Sequence, residues 1–376
     1  MKKICFLYID EPYNIYHSLS IAIELHNSYE SDVTVLCTER NYKFVDETLK
    51  KSYARNLKVT IVRPYWHFTL SHYIEIKIQF RYFIFHRYKK LLSSFDGIVC
   101  SLYNDLLLKK FINAQSKTKL IYARHGIANS AYSYDNKVKG FDYLLLAGEK
   151  EKKVRHSLNQ LVKDHYCIAG YVKYDVCRDM ITKDPFSNNK PIVLYNPHWN
   201  KEHSSFYKFG YSILEQFANQ DKYNFIFAPH SLLTTRNKSI IPEIMRYKEY
   251  KNIHIDLGSE ASNNMSYIKI SDIYLGDVSS QALEFLLHKK RPCLYLNNKA
   301  QSDSNYDFDS WELGSVVSDV NDLLSKLEEA KNQHESIYLE KQNKEIAKVF
   351  YRGEKSATKI AAFSIFEYLN KIDLAS

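Results

Sequence analysis

The turn Gly276-Asp277-Val278-Ser279-Ser280 carries the clearest chemical signal in the sequence. An apolar run precedes it and a helical pattern follows it, so the turn is predicted at a junction between a strand and a helix. The first turn of such a helix exposes unpaired N–H groups and the positive end of the helix dipole. Two hydroxyl groups beside those N–H groups suit phosphate oxygens. The pattern therefore predicts a phosphate-binding turn.

Glu284 extends this prediction, because it lies on the same helix four residues after Ser280. From there its carboxylate could reach a ribose hydroxyl of a bound nucleotide. The alternative is that Asp277 and Ser279 only cap the helix, as Asp and Ser do at many helix N-termini. The spacing alone leaves both interpretations open.

Three other predicted strand ends carry a histidine. The motifs RHGIANS, LYNPHWN and FAPHSLL place His125, His198 and His230 directly after apolar runs. An imidazole can take a proton from a hydroxyl group near neutral pH. A structural loop histidine is the alternative for each one, but three together favour a functional site.

Four further residues are candidates for the cleft. Arg124 and Gly126 flank the histidine of the first motif, and Asn196 lies two residues before that of the second. His17 opens the first predicted helix, where capping or packing is the alternative role. We expect these residues near the ligand but assign them no step.

Other kinds of chemistry find little support. The sequence has no GxGxxG, which argues against an NAD site of the usual type, and no GxSxG elbow for a serine hydrolase. The tripeptide DFD at 307–309 matches a metal-binding DxD, but such tripeptides are common by chance. We predict neither a metal site nor a cofactor.

The elements that position these residues are strands alternating with helices. This pattern predicts parallel sheets covered on both faces, in which ligands bind at the carboxyl ends of the strands. The predicted strands are 3–9, 32–37, 57–62, 97–101, 118–123, 141–147, 166–169, 192–196, 223–228, 252–256, 271–276 and 292–296. Helices are predicted between them, for example at 15–29, 103–115 and 149–162.

The strands fall into two blocks, separated by a Pro- and Asn-rich linker at 183–191. We therefore predict an α/β protein with Rossmann-like domains at 1–185 and 190–350. The amphipathic helix within 351–376 is expected to pack back on one of them.

Composition limits the class of protein. The 376 residues have a net charge of +9, which favours an anionic partner: a nucleotide-activated substrate, nucleic acid or an acidic membrane surface. The six cysteines lack ligand spacing, which is typical of reduced thiols in a cytoplasmic protein. The N-terminus predicts a buried strand rather than a signal peptide, and no run is long and apolar enough for a membrane-spanning helix.

The segment 64–92 differs from the rest of the chain. It interleaves aromatic residues with cations and contains almost no acids; the cations are Lys77, Arg81, Arg87, Lys89 and Lys90. This pattern suits an anionic membrane interface or acceptor docking, which would make the protein peripheral at the inner face of the cell membrane. A core helix with snorkelling cations is the alternative. A nucleic-acid surface shares these features, but we predict no nucleic-acid partner.

Taken together and in order, the motifs resemble the CDP-glycerol glycerophosphotransferase family of teichoic-acid and capsule synthesis. The resemblance covers about residues 120–320 and includes SDIYLGDVSSQALEFLLHKKRPCLYLN, RHGIANS, VLYNPHWN and FAPHS, together with GYVKYD at 170–175. It implies a GT-B fold, with a first domain for the acceptor, a second for the nucleotide donor and the active site between them.

The resemblance also implies roles for individual residues. His125 would be the general base for the acceptor hydroxyl, and His230 would stabilise the donor phosphate. The pyrophosphate would be held by Asp277, Ser279 and Ser280. His198 is grouped with the nucleotide-binding residues and is the rival candidate for the base.

The implied reaction moves a glycerol-phosphate, or another alditol-phosphate, from a CDP-activated donor to a hydroxyl group. The acceptor would be a cell-surface polysaccharide or a lipid-linked molecule, and CMP would leave. Val278 stands where the family usually has an aromatic residue, and His198 is an additional histidine. Two alternatives therefore stay open: a glycosyltransferase that uses a sugar nucleotide, and a non-catalytic nucleotide- or nucleic-acid-binding protein.

Overall fold

The computed structural model of the chain describes residues 1–52, 54, 56–64, 77–113, 115–128, 131–180, 182–298 and 306–374. Two parallel sheets organise these residues. The strands are β1 (Lys2–Tyr8), β2 (Ser31–Cys37), β3 (Lys58–Ile61), β4 (Gly97–Cys100), β5 (Lys119–Ala123), β6 (Tyr143–Leu146), β7 (Tyr166–Ile168), β8 (Ile192–Asn196), β9 (Asn224–Phe227), β10 (Ile253–Ile255), β11 (Ile273–Gly276), β12 (Cys293–Leu296) and β13 (Ser315–Val317).

Helices connect these strands in nearly every interval. The α-helices are α1 (Leu19–Ser28), α2 (Glu39–Lys51), α3 (Lys77–Arg87), α4 (Lys89–Leu92), α5 (Glu149–Ser157), α6 (Val172–Cys177), α7 (Phe206–Ala218), α8 (Ser231–Arg236), α9 (Ile241–Arg246), α10 (Glu260–Asn263), α11 (Ser266–Ile270), α12 (Ser280–His288), α13 (Leu323–Gln333), α14 (Leu339–Val349) and α15 (Ala357–Leu374). Short 3₁₀ helices include Pro12–His17 and Tyr103–Lys110. The second of these replaces the regular helix that the sequence predicts at 103–115.

The chain forms two compact units. The first contains residues 1–127, 134–176 and 349–376, and the second contains 128–133 and 177–348. The sequence predicts the change of domain between 185 and 190, whereas the contacts place it at Val176 and Cys177.

The sheet of the first unit has the strand order β3-β2-β1-β4-β5-β6-β7. Successive residues of β1 belong to different cores: Ile4 and Phe6 pack with α1 and α15, and Cys5 and Leu7 pack on the opposite face. This alternation and the burial of both faces are what a parallel sheet between two helical layers requires.

Helix α15 completes the first of these cores. Its apolar residues Ala361, Ile365 and Leu369 are buried against the sheet. Leu369 packs so closely on β4 that a Cβ atom at Gly97 would lie only 2.9 Å from its Cδ1. The hydroxyls of Ser20 and Thr358 lie 3.0 Å apart between α1 and α15. The last described helix is therefore an integral part of the first unit.

The sheet of the second unit has the order β10-β9-β8-β11-β12-β13. Its core packs buried aromatic and aliphatic side chains of β8, β9 and β11 against α7 and α13. The register pairs Gly276 of β11 with Asn196 of β8, so these strands end side by side.

All six cysteines lie in described parts of the chain and are free thiols, five of them buried. Burial raises the pKa of Cys293 to about 12, which keeps this thiol protonated and unreactive at neutral pH. Among the described residues, no helix combines the length and the hydropathy that a membrane span requires.

Candidate active site

In both sheets, the chain adds strands first on one side of the first strand and then on the other. β1 lies between β2 and β4, and β8 lies between β9 and β11. In open parallel sheets, ligands bind outside the carboxyl ends of the strands at such a switch point. The loops at the second switch point contain His198 and the turn at 276–280, and the loop after β1 leads to His17. The topology thus brings predicted site residues to the position in each sheet where a ligand is expected.

Asp277 joins the two loops of the second switch point. One of its carboxylate oxygens accepts the backbone N–H of His198 at 2.7 Å, and the other accepts that of Ser205 at 2.9 Å. Burial raises the pKa of Asp277 to about 7, and these hydrogen bonds oppose the rise. Both oxygens serve the loop from His198 to Ser205, so Asp277 positions that loop. Its direct contact with a pyrophosphate stays a prediction.

Gly276 is required by the closeness of these two loops. Its φ of +153° lies in a region that side chains rarely adopt. A Cβ at this position would lie 3.1 Å from the carbonyl oxygen of Asn196. The side-chain amide of Asn196 is buried and donates to the carbonyl oxygen of Ala228. Asn196 therefore ties the end of β8 to the end of β9.

Ser279 is the N-cap of α12, as the capping alternative predicts. Its hydroxyl oxygen accepts the N–H of Ala282 at 3.4 Å and lies 3.2 Å from the hydroxyl of Tyr274. Ser280 is the first residue of the nine-residue helix and is partly exposed. This cap uses the N–H of Ala282, and the remaining N–H groups of the first turn have no partner within the helix and can bind an anion.

His198 and His230 form a pair at the ends of β8 and β9, with ring centroids 6.2 Å apart. Nδ1 of His198 accepts the N–H of Asn200 at 3.0 Å, and Nδ1 of His230 accepts that of Leu232 at 3.2 Å. A backbone N–H only donates, so neither Nδ1 carries a proton, and each neutral ring holds its proton on Nε2. Both histidines are thus hydrogen-bond donors through Nε2.

The charge of His198 is set by its surroundings. Burial lowers its pKa to about 4, and His203 contributes to this. The ring is therefore neutral at pH 7. A neutral Nε2–H suits a phosphate oxygen, whereas a general base needs an unprotonated nitrogen at the reacting atom.

Glu284 occupies a buried place on α12, where its side chain is 2% exposed. A carboxylate that reaches a ribose hydroxyl needs an accessible oxygen. The contact proposed for Glu284 stays a prediction, and burial makes it the weakest member of the predicted nucleotide-binding set.

His125 follows β5 in the first unit and has the opposite arrangement of ring nitrogens. Its Nδ1 lies 2.9 Å from the carbonyl oxygen of Ser101. A carbonyl only accepts, so Nδ1 holds the proton and Nε2 keeps its lone pair. Burial and Arg124 lower the pKa of His125 to about 4. The ring is neutral at pH 7 and able to accept a proton on Nε2. Gly126, with a φ of +71°, makes the turn that follows.

His17 and Arg124 lie in the same part of the first unit. His17 is 7% exposed, with its ring 5.8 Å from that of Tyr171. Its pKa lies well below the ordinary value because of burial and the positive charges of Lys173 and Arg124, with His125 also contributing. Arg124 donates to the hydroxyl of Tyr103 at 3.4 Å. Positive charge is therefore concentrated around His17 and His125.

Two groups of interacting residues are absent from the sequence-based prediction. Asp105 accepts the N–H groups of Ser101 and Leu102 at 3.2 and 3.0 Å, in the loop whose Ser101 carbonyl contacts His125. In the second unit, the guanidinium of Arg236 lies 4.1 Å over the ring of Trp199. In the sequence, Asp105 is a polar residue shortly after the predicted strand 97–101. Such residues are too common for this position alone to indicate a functional role.

The segment 64–92 is only partly described, since 65–76 lie outside the described residues. Arg81 was expected among its lipid-facing cations. That expectation is wrong, because Arg81 is 3% exposed and pairs with Asp10 and Asp105. Lys89 and Lys90 are exposed on α4. A membrane role for them stays a prediction.

Within the described part of the chain, no group of three or more His, Cys, Asp or Glu side chains could hold a metal ion. The backbone of 307–309 forms part of the 3₁₀ helix Tyr306–Leu313. The side chains of the DFD tripeptide lie outside the described residues.

The backbone is similar to that of several solved enzymes. MnaA of S. aureus, solved with UDP, has a TM-score of 0.65 and 14% identity, over 98% of this chain and 97% of that one. A UDP-GlcNAc 2-epimerase from Neisseria meningitidis, bound to UDP-GlcNAc, has a TM-score of 0.59 and 16% identity, over 98% and 100%. A variant of the wall teichoic acid polymerase TagF, soaked with CDPG, has a TM-score of 0.59 and 13% identity, over 98% and 89%.

At such low identities these likenesses concern the fold, which is of the GT-B type. No curated protein sequence matches the chain. The family model described as CDP-glycerol:poly(glycerophosphate) glycerophosphotransferase matches residues 9–365. This match spans both units and all the histidine-bearing loops. The chain therefore belongs to the CDP-glycerol:poly(glycerophosphate) glycerophosphotransferase family and is a transferase.

Proposed function

We propose that this chain transfers a glycerol-phosphate unit, or another alditol-phosphate, from a CDP-activated donor to an acceptor hydroxyl and releases CMP. The acceptor is a cell-surface polysaccharide or a lipid-linked molecule. Membership of the family supports the reaction class. The observation that carries the proposal is a difference in which ring nitrogen holds the proton. In His125 of the first unit it is Nδ1, and in His198 and His230 of the second unit it is Nε2.

In the first unit, His125 acts as the general base. Its Nδ1 donates to the carbonyl oxygen of Ser101, which leaves the lone pair on Nε2 for the acceptor hydroxyl. The low pKa keeps the ring neutral over a wide pH range. A weak base of this kind takes the proton as the hydroxyl begins to form a bond to phosphorus, when the proton has become acidic.

In the second unit, the donor phosphates are held by groups that donate hydrogen bonds. His198 and His230 offer Nε2–H, and the first turn of α12 offers backbone N–H groups. Donors of this kind stabilise negative charge as it develops on the leaving phosphate. TagF, the structural relative soaked with CDPG, supports a cytidine nucleotide as the donor.

The transfer replaces one P–O bond of the donor with another. The acceptor oxygen forms a bond to the β-phosphorus of the donor, and its proton moves to Nε2 of His125. The bond between that phosphorus and the oxygen bridging to CMP breaks, and CMP leaves with the electron pair. The proton on His125 is then released to solvent, which restores the base for the next cycle.

Ligand screening by thermal shift tests the donor. We expect CDP-glycerol or CDP-ribitol, and CMP, to raise the melting temperature, because binding to the folded state alone stabilises it. UDP and UDP-sugars serve as the comparison. Stabilisation by UDP-sugars only would overturn the proposal in favour of glycosyl transfer. Binding without CMP release, in the presence of a glycerol-phosphate oligomer as acceptor, would favour a non-catalytic protein.

A further inference from the structure

Asp105 is connected to His125 through a single peptide group. Its Oδ2 accepts the N–H of Leu102 at 3.0 Å. The carbonyl at the other end of the same peptide unit belongs to Ser101, and it lies 2.9 Å from Nδ1 of His125. In a trans peptide these C=O and N–H bonds point in opposite directions. The arrangement is therefore a continuous chain from carboxylate to peptide to imidazole.

Each hydrogen bond in such a chain polarises the next. A carboxylate at the N–H of Leu102 increases the negative charge on the carbonyl oxygen of Ser101. That oxygen also accepts the backbone N–H of His125 at 3.4 Å. The Ser101 carbonyl therefore fixes both the ring and the backbone of His125, and it favours the ring form with the proton on Nδ1.

Asp105 is buried and paired with a cation. It is 2% exposed, and its second oxygen lies 3.4 Å from Nε of Arg81, an ion pair without a hydrogen bond. Arg81 also pairs with Asp10, at the end of β1. Burial raises the pKa of Asp105 to about 7, although Arg81 opposes this rise. The cation therefore offsets part of the cost of burying this carboxylate beside the loop.

We propose that Asp105 is a positioning residue for His125, acting through the Ser101–Leu102 peptide to hold Nε2 ready to accept a proton. Arg81 supports it by holding the carboxylate in place. The proposal rests on the proposed function, in which His125 is the base. Asp105 takes the part that a carboxylate bonded directly to histidine plays in a catalytic triad, with one peptide unit inserted between them.

A structural role is the competing explanation, because Asp105 lies in the first turn of the helix Tyr103–Lys110. A residue that only stabilises this turn would change melting temperature and leave the ring of His125 unaffected. The two roles differ in whether the effect of Asp105 depends on His125.

The test measures turnover in Asp105→Asn, His125→Ala and the double variant, with the full chain and CDP-glycerol as donor. We expect Asp105→Asn to lower kcat about 10–100-fold, as removal of a group that orients a histidine ligand typically does, with an unchanged KM for the donor. In the His125→Ala background we expect no further loss, because the two residues act as one unit.

Asp142→Asn is the matched control. Asp142 belongs to the same unit and accepts the N–H of Leu120 at 2.8 Å, at the opposite end of β5. The substitution likewise replaces a carboxylate with an amide whose oxygen can still accept the N–H, and we expect near-normal turnover. An equal loss of kcat in both variants would indicate a general effect on the unit and would overturn the proposal.

Nitrogen NMR of histidine-labelled protein gives an independent measurement on the wild-type ring. The wild-type signal of His125, assigned by its absence in His125→Ala, should show a protonated Nδ1. A proton on Nε2 instead would overturn the relay directly. If His125→Ala kept normal turnover while Nδ1 was protonated, the proposed function would fail and the relay geometry would stand.

Discussion

The ring of His125 donates through Nδ1 to the carbonyl oxygen of Ser101 over 2.9 Å. Ser101 lies at the end of β4 and His125 at the end of the adjacent β5. A bond between neighbouring strand ends fixes the ring relative to the sheet rather than to a single loop. The nitrogen that remains for chemistry is therefore determined by the fold.

His125→Ala should lower kcat about 10²–10⁴-fold, because the acceptor hydroxyl loses its base. Nucleotide binding, measured by calorimetry, should be nearly unchanged. His165→Ala is the matched control, since its Nδ1 makes the same kind of bond, 2.9 Å to the carbonyl oxygen of Asp142. Near-normal turnover in His125→Ala together with loss in His198→Ala would show that the base has been assigned to the wrong histidine.

The pH profile should report the depressed pKa of His125, which lies near 4 instead of 6.5. A base works only when unprotonated, so a lower pKa extends activity to lower pH. We expect the acid limb of kcat/KM that belongs to His125 to lie near pH 4. Arg124→Gln should move this acid limb upward, because Arg124 lowers the pKa of His125. An identical limb in both proteins would contradict this assignment.

Ser280→Ala should weaken CMP binding by about 1–3 kcal/mol if its hydroxyl donates to a charged phosphate oxygen. Calorimetry on the folded variant measures this. Ser279→Ala is less informative on its own, because Ser279 caps α12 and its loss destabilises the helix. Ser212→Ala, on the exposed face of α7, is the control. Unchanged affinity in Ser280→Ala would remove this residue from the site.

The stability of the second unit should depend on the proton of Asp277. Its folded-state pKa, about 7, lies above the ordinary value of 3.8. The stabilising contribution is therefore fully present below about pH 4 and is lost as the pH rises towards 7. The loss is at most about 1.4 kcal/mol per pH unit.

Urea unfolding of wild type and Asp277→Asn at a series of pH values measures this effect. The asparagine cannot titrate, so the advantage of the wild type in unfolding free energy should shrink as the pH rises across this interval. A constant difference between the two proteins would count against the raised pKa.

Membrane association, if it involves α4, should depend on its exposed cations. We predict that replacing Lys89 and Lys90 with Glu weakens binding to anionic vesicles, and that salt weakens binding of the wild type. Sedimentation with anionic and neutral vesicles measures both. Equal, salt-insensitive binding to the two vesicle types would leave the segment without a lipid role.

Much of the fold could be predicted because parallel strands buried on both faces appear as short apolar runs. Each run named from the sequence corresponds to a strand, whereas β13 was missed. β13 is only three residues long and incompletely buried, at the edge of its sheet, so its apolar signal is weak.

The site was less predictable, because its key contacts join strands that are adjacent only in the fold. Nothing in the sequence states that β4 lies beside β5, which is what brings Ser101 to His125. The ring form of His230 is a local matter, since it caps α8 by accepting an N–H two residues ahead. The ring form of His230 could therefore have been predicted from its place at the N-cap of a helix.

The position of α15 in the chain has a consequence for biosynthesis. The strands of the first unit leave the ribosome first, but the helix that covers one face of their sheet follows the whole of the second unit. Domains generally fold as units during synthesis. The second unit can therefore finish folding first, while one apolar face of the sheet in the first unit is still uncovered. A nascent chain stalled before Ala357 would therefore expose this apolar surface to chaperones.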